Sequence, residues 1–202
     1  MAEELTPEER YRRTQQHKKA VIDAHIAQAD REKGLLLVLT GPGKGKSSSA
    51  FGMAARALGH GMKVGVCQFI KGRSDTGEEA FFRRQPGVVW RVLGEGFTWD
   101  TQDKARDAAK AREGWAVARE MLRDPGMGLV ILDELTYCLS YGFLDKQAVL
   151  ADIAARPPMQ HVVVTGRAAP QSLIDAADTV TEMRDVRHAY QAGIKAQAGI
   201  DL

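Results

Sequence analysis

The sequence is short of several things, and each shortage excludes a class of protein. Only two cysteines occur in 202 residues, Cys67 and Cys138, each alone in an apolar stretch and neither in a CxxC pair. That argues against a disulfide framework and a cysteine zinc site, and it favours a reducing compartment. The five histidines show no metal-ligand spacing. Lys plus Arg number 28 against 26 Asp plus Glu, so no basic excess makes nucleic acid or an anionic membrane the expected partner. No apolar stretch is long and uncharged enough to span a bilayer. The N-terminus is charged from Glu3 onward without an apolar signal region, so a cytoplasmic protein is expected. No internal repeat or low-complexity tract is visible.

What is present suits one core of ordinary size. Residues 1–33 are rich in Arg, Gln, Lys, Asp and Ala, with Val21, Ile22, Ile26 and Ala29 at roughly helical spacing, which predicts an N-terminal helical arm. Such an arm is either a solvated leader or a segment that folds over a site or a partner subunit. From residue 34 to 202 the texture changes to short apolar runs: Leu35–Leu39, Val64–Ile70, Val88–Leu93, Leu129–Leu132, His161–Thr165 and a weaker Thr179–Met183. Runs of this kind read as strands buried on both faces. Between them, Asp100 can cap a helix with Asp103 in its first turn and Ala108, Trp115, Ala118 and Leu122 as its apolar stripe, ending before Pro125. A second helix starts near Asp145 and stops at Arg156-Pro157-Pro158, and a third follows Pro170. Alternating strands and helices predict an α/β fold with a doubly wound, mostly parallel sheet flanked by helices.

The first strand runs into Thr40-Gly41-Pro42-Gly43-Lys44-Gly45-Lys46-Ser47 and then a helix-compatible stretch. This is the context of a phosphate loop. Glycines let successive N–H groups turn onto a phosphate, and the following helix N-terminus adds partial positive charge. Lys46 supplies a mobile cation and Ser47 a hydroxyl for Mg²⁺. A mere tight turn would leave Lys44, Lys46 and Ser47 unexplained. Thr40 stands where the GxxxxGK[ST] pattern has its first glycine. A second element closes Leu129–Leu132 with Asp133 and Glu134, which brings carboxylates to the strand end where a phosphate-bound metal needs them; alternatively the two acids cap the next turn. The residues alone thus support a RecA-like P-loop NTPase: an ATPase or small-molecule kinase with Glu134 activating water or a hydroxyl, or a non-catalytic nucleotide-binding regulator.

Three further stretches narrow the field. Gly94-Glu95-Gly96-Phe97-Thr98-Trp99-Asp100-Thr101-Gln102, Leu132–Tyr137 and the ending His188–Asp201 resemble the P-loop type of ATP:cob(I)alamin (corrinoid) adenosyltransferase. So do Gln68–Gly72, Ala155–Pro157 and Thr165–Arg167. The resemblance covers almost the whole chain and keeps the motifs in order. It implies transfer of the 5′-deoxyadenosyl group of ATP to the Co(I) of a corrinoid, with release of triphosphate, in adenosylcobalamin biosynthesis or salvage. It implies that Gly41, Pro42, Gly43, Lys44, Gly45 and Lys46 hold the triphosphate. Ser47, Glu134 and Asp133 are then the candidates for Mg²⁺ or Mn²⁺. Phe97 and Trp99 match the family's aromatic pair, which crowds the lower face of the corrin and favours a four-coordinate Co(II) that is easier to reduce. By themselves, aromatics after a strand read more readily as core or rim packing, although their setting between Gly94, Gly96 and a helix start suggests a loop. Lys71, Arg73 and Lys104 are candidates for the corrin side groups. A homodimer and a flavin-based or flavodoxin-like reductant complete the implied partners.

Overall fold

The computed structural model describes residues 6–70, 76–94 and 103–201. The chain divides after Glu32 into two compact units. The first is helix α1, Pro7–Gln28. Its start is strongly encoded. Thr6 accepts the Glu9 N–H at 3.2 Å while the Glu9 carboxylate accepts the Thr6 N–H at 2.8 Å, and Pro7 occupies the first turn. This reciprocal box satisfies donors that a helix start leaves open. A single helix of this kind has no core of its own.

The second unit begins at Lys33. Its strands are β1 (Leu36–Thr40), β2 (Lys63–Gln68), β3 (Val88–Val92), β4 (Met127–Asp133), β5 (His161–Thr165) and β6 (Thr179–Glu182). They form one parallel sheet in the order β3-β2-β4-β5-β1-β6. The helices are α2 (Lys46–Gly59), α3 (Gly77–Phe82), α4 (Lys104–Arg123), α5 (Leu135–Ser140), α6 (Lys146–Ala154) and α7 (Gln171–Ala176), with a short 3₁₀ turn at Ala189–Ala192.

The apolar runs are explained by two cores, one on each face of the sheet. Successive strand residues point to opposite faces. Val130, Leu132, Val162 and Val164 therefore pack with Trp115, Ala118 and Leu122 of α4 and Ile153 of α6. Their neighbours Leu129, Ile131 and Val163 pack with Phe51 and Ala54 of α2, Phe82 of α3 and Trp90 of β3. Each large aliphatic chain buried in this way contributes roughly 1.5–3 kcal/mol. The doubly wound α/β architecture expected from the sequence, a parallel sheet flanked by helices, is the one observed.

Boundaries differ in detail. The cap of α4 is Asp103, whose carboxylate accepts the N–H groups of Ala105 and Arg106 at 3.1 Å each. Asp100, the expected cap, lies outside the described residues. Strand β2 stops at Gln68 rather than Ile70. Asp145 caps α6 as expected, accepting Ala148 N–H at 2.7 Å.

Candidate active site

The C-terminal ends of β1, β2, β4 and β5 deliver Thr40, Gln68, Asp133 and Thr165 to one edge of the sheet. This is where ligands bind in open α/β sheets. A cavity of about 660 Å³ opens there. One wall is the loop, from Gly43 to Ser48. Asp133, Glu134, Tyr137 and Arg167 line the cavity too, and Phe51 and Ile70 add apolar surface.

The loop is shaped by close approach. Gly41 has φ +97° and a Cβ there would strike the carbonyl of Met183; a Cβ on Gly43 would come within 2.5 Å of the Arg184 carbonyl. The chain leaving β6 therefore backs the loop, and Gly43 N–H donates to Met183 O at 2.7 Å. Gly45, at φ +113°, is the left-handed residue that starts α2. Lys46 folds back under the loop and donates to the carbonyls of Gly41 at 3.0 Å and Gly43 at 2.6 Å. Pro42 is exposed, and neither it nor Gly41, both expected to hold the triphosphate, is among the residues that line the cavity. Lys44 points to the far end of the chain, where its ammonium pairs with Asp201 at 2.7 Å.

The two acids at the end of β4 differ in a way their adjacency hides. Asp133 is buried and engaged: it accepts Thr165 O–H at 2.7 Å and Gln68 N–H at 3.0 Å, and Trp90 N–H in turn donates to Gln68 at 3.1 Å. Glu134 begins α5 with a left-handed backbone, φ 60°. Its N–H donates to the Thr165 hydroxyl at 3.0 Å, and its Oε2 is buried without a hydrogen-bond partner. Burial, reinforced by the charge of Asp133, pushes the Glu134 carboxyl up to about 7 against the pull of Lys46 and Arg167. Burial lowers the Lys46 ammonium in turn, with Glu134 opposing. Cation and carboxylate thus face a shared cavity, each incompletely compensated. That is the electrostatic state expected of a site awaiting charged ligands.

β5 lies between β1 and β4, so the acids reach the cavity across an intervening strand rather than from beside β1. Thr165 bridges that gap. Of the expected residues, Gly43 to Ser47 and the two acids are brought together around the cavity, and Gly41 and Pro42 are not. Phe97 and Trp99, with Lys71 and Arg73, lie outside the described residues. Lys104 is exposed at the start of α4 and does not line the cavity. Gly94, where the aromatic stretch begins, is pressed against the Phe69 carbonyl, so that only glycine fits. Sequence reasoning missed the cavity roles of Tyr137 and Tyr141, although their i, i+4 spacing immediately after the two acids was the available signal. His188, Ile200 and Asp201 belong to the ending that carries the resemblance, but sequence reasoning missed their place in the cavity lining, which depends on the return of the C-terminal tail.

The cysteines are inert. Cys67 and Cys138 are buried, and burial pushes both thiols up to about 12. Among the described residues no helix is long and apolar enough to cross a membrane.

Residues 32–202 match the family described as ATP:corrinoid adenosyltransferase BtuR/CobO/CobP. The chain is 62 % identical to a corrinoid adenosyltransferase of Pseudomonas aeruginosa over the full length of both chains. It is 48 % identical to one of Escherichia coli K12, covering 96 % of this chain and 98 % of that one. A solved structure of the flagellar accessory protein FlaH from Methanocaldococcus jannaschii gives a TM-score of 0.48 at 12 % identity, over 75 % of this chain and 71 % of that one. With a phosphate loop and paired acids at the sheet edge, and a family match that runs through both, the chain belongs to the ATP:corrinoid adenosyltransferases.

Proposed function

We propose that this protein transfers the 5′-deoxyadenosyl group of ATP to the Co(I) centre of a reduced corrinoid and releases triphosphate, within adenosylcobalamin biosynthesis or salvage. The observation that carries this reading is the cavity of a chain of this family, in which a glycine loop and Lys46 face a buried, unpartnered oxygen of Glu134. The electron pair of Co(I) attacks C5′ of ATP. The C5′–O bond breaks, and its electrons leave with the triphosphate. No side-chain nucleophile is required, and the two thiols are held protonated. The work of the chain is to orient C5′ and to stabilise the departing charge. Lys46 and the loop N–H groups do the second.

The residues present fit a divalent cation, Mg²⁺ or Mn²⁺. The orphaned Glu134 oxygen and the Ser47 hydroxyl would hold it, with Asp133 behind them held by Thr165 and Gln68. When bound, the ion supplies positive charge that neutralises the phosphates. Phe97 and Trp99 crowd the lower face of the corrin, so that its lower ligand leaves before reduction. A flavin-based or flavodoxin-like donor supplies the electron that makes Co(I). The protein acts as a homodimer, and the arm, residues 1–33, closes a site.

The test is anaerobic incubation with ATP, Mg²⁺ and chemically reduced corrinoid. The spectrum should change to that of an alkylated corrinoid as triphosphate accumulates. ADP and phosphate with an unchanged corrinoid would refute the proposal.

A further inference from the structure

Thr40 replaces the glycine that opens a phosphate loop, and its hydroxyl has a partner elsewhere in the chain. Ala169 N–H donates to Thr40 Oγ1 at 3.2 Å. Two hydroxyls from α5 grip the same turn: Thr136 donates to the carbonyl of Arg167 at 2.7 Å, and Ser140 to that of Ala168 at 2.9 Å. The turn needs such support. Gly166 has φ +135° and Ala168 has φ +50°, the latter a left-handed conformation uncommon for a residue with a Cβ. A Cβ on Gly166 would collide with Thr136 Oγ1, so the turn lies tight against α5. Arg167 sits between these two residues, and its side chain lines the cavity that the loop also lines.

We infer that Thr40 is a positioning residue: with Thr136 and Ser140 it clamps the Gly166–Ala169 turn so that Arg167 presents its guanidinium to the phosphates of ATP in the cavity that Lys46 also lines. The inference rests on the reading above, in which the loop holds the triphosphate. Its physical basis is the fork geometry of the guanidinium, which pairs with phosphate oxygens through two parallel hydrogen bonds. A fork held in advance also loses less freedom on binding than one carried by a loose turn. The charge of Arg167 already reaches both Lys46 and Glu134 across the cavity. The left-handed backbone at Ala168 is explained by this arrangement, since strain at a site persists only where surrounding contacts hold it.

The experiment is a double-mutant cycle on the full chain, read by calorimetric titration with ATP and with inorganic tripolyphosphate. Arg167→Ala should weaken both ligands about tenfold or more, the loss of a charge-assisted pair. Thr40→Val keeps the shape and removes the acceptor, and should weaken both about threefold to tenfold. Thr40→Ser should restore wild-type affinity. In the Arg167→Ala background, Thr40→Val should cost less than about twofold further, because coupled residues are not additive. Full additivity would make Thr40 a packing residue and overturn the inference. Unchanged tripolyphosphate affinity in Arg167→Ala would remove the phosphate contact and overturn it equally. If Thr40→Val does not fold, Ser140→Ala, at the exposed end of the clamp, enters the same cycle with the same criteria. The cycle measures affinity without turnover. A wild-type protein that fails to alkylate a corrinoid would thus count against the proposed reaction alone.

Discussion

Glu134→Gln should make the nucleotide-free protein more stable at neutral pH while disabling it. The carboxyl is shifted from 4.5 to about 7, first by burial and then by the neighbouring Asp133 charge. A carboxyl raised in the folded state holds its proton more tightly there than in the unfolded chain. The stability this gives is present below about pH 4.5 and is lost as the pH rises towards 7, where the folded protein must at last ionise a buried group. The gap between 4.5 and about 7 corresponds to a cost of about 3 kcal/mol once the pH is well above 7. Glutamine cannot ionise and escapes that cost. Any loss from a poorly placed amide is independent of pH and cancels in the comparison. Urea unfolding of both proteins in EDTA, at several pH values from 5 to 8, should show the variant gaining about 2–3 kcal/mol on the wild type across that range. Thermal midpoints should diverge in the same direction by several degrees, at roughly 2–4 °C per kcal/mol for a chain of this size. Triphosphate formation by the variant should fall steeply, since the same oxygen is assigned to the cation. Two stability profiles that stay parallel between pH 5 and 8 would refute the assignment of Glu134 as a buried, uncompensated carboxylate.

Lys46→Ala should lower kcat by about a hundredfold or more at saturating ATP, because it removes one donor from developing charge; near-normal kcat would reject the loop as the triphosphate cradle. The double variant Phe97→Ala with Trp99→Ala should bind ATP normally and show less four-coordinate Co(II) signal, losing more rate with a mild reductant than with preformed Co(I). Early melting with an intact Co(II) spectrum would instead mark the pair as packing, a change costing roughly 3–5 kcal/mol per aromatic. Deleting residues 1–33 should leave a folded, ATP-binding unit with a raised corrinoid KM; unchanged KM and kcat would reduce the arm to a leader.

The parts legible in the sequence are those set by local pattern. Leu129–Leu132 and His161–Thr165 read as strands because both faces of the sheet are covered, by α4 and α6 on one side and α2 on the other. Gly41 to Ser47 read as a phosphate loop because each residue type has a separate job there. What local pattern cannot carry is the order of strands. Nothing in the sequence places β5 between β1 and β4, and with that placement comes the bridging role of Thr165. Helices α3 and α5 have six residues each, less than two full turns, so no apolar period could mark them. Asp133 and Glu134 are alike in local pattern, and it is the family resemblance that puts Glu134 first. Only the partners of Asp133 and the orphaned oxygen of Glu134 separate a supporting acid from one open to a cation. Thr40 registered as a departure from the loop pattern, and its reason lies 129 residues away at Ala169.

The central claim is that the loop holds a triphosphate that leaves intact while C5′ moves to cobalt, and labelled ATP tests it most directly. ATP carrying ¹⁴C at C5′ and ³²P at the γ position is incubated with the protein, Mg²⁺ and Co(I) corrinoid, and the products are separated. The ¹⁴C should appear in the corrinoid in a one-to-one ratio with ³²P in triphosphate. Carbon label retained in ADP, with ³²P in inorganic phosphate or on an acceptor, would contradict it.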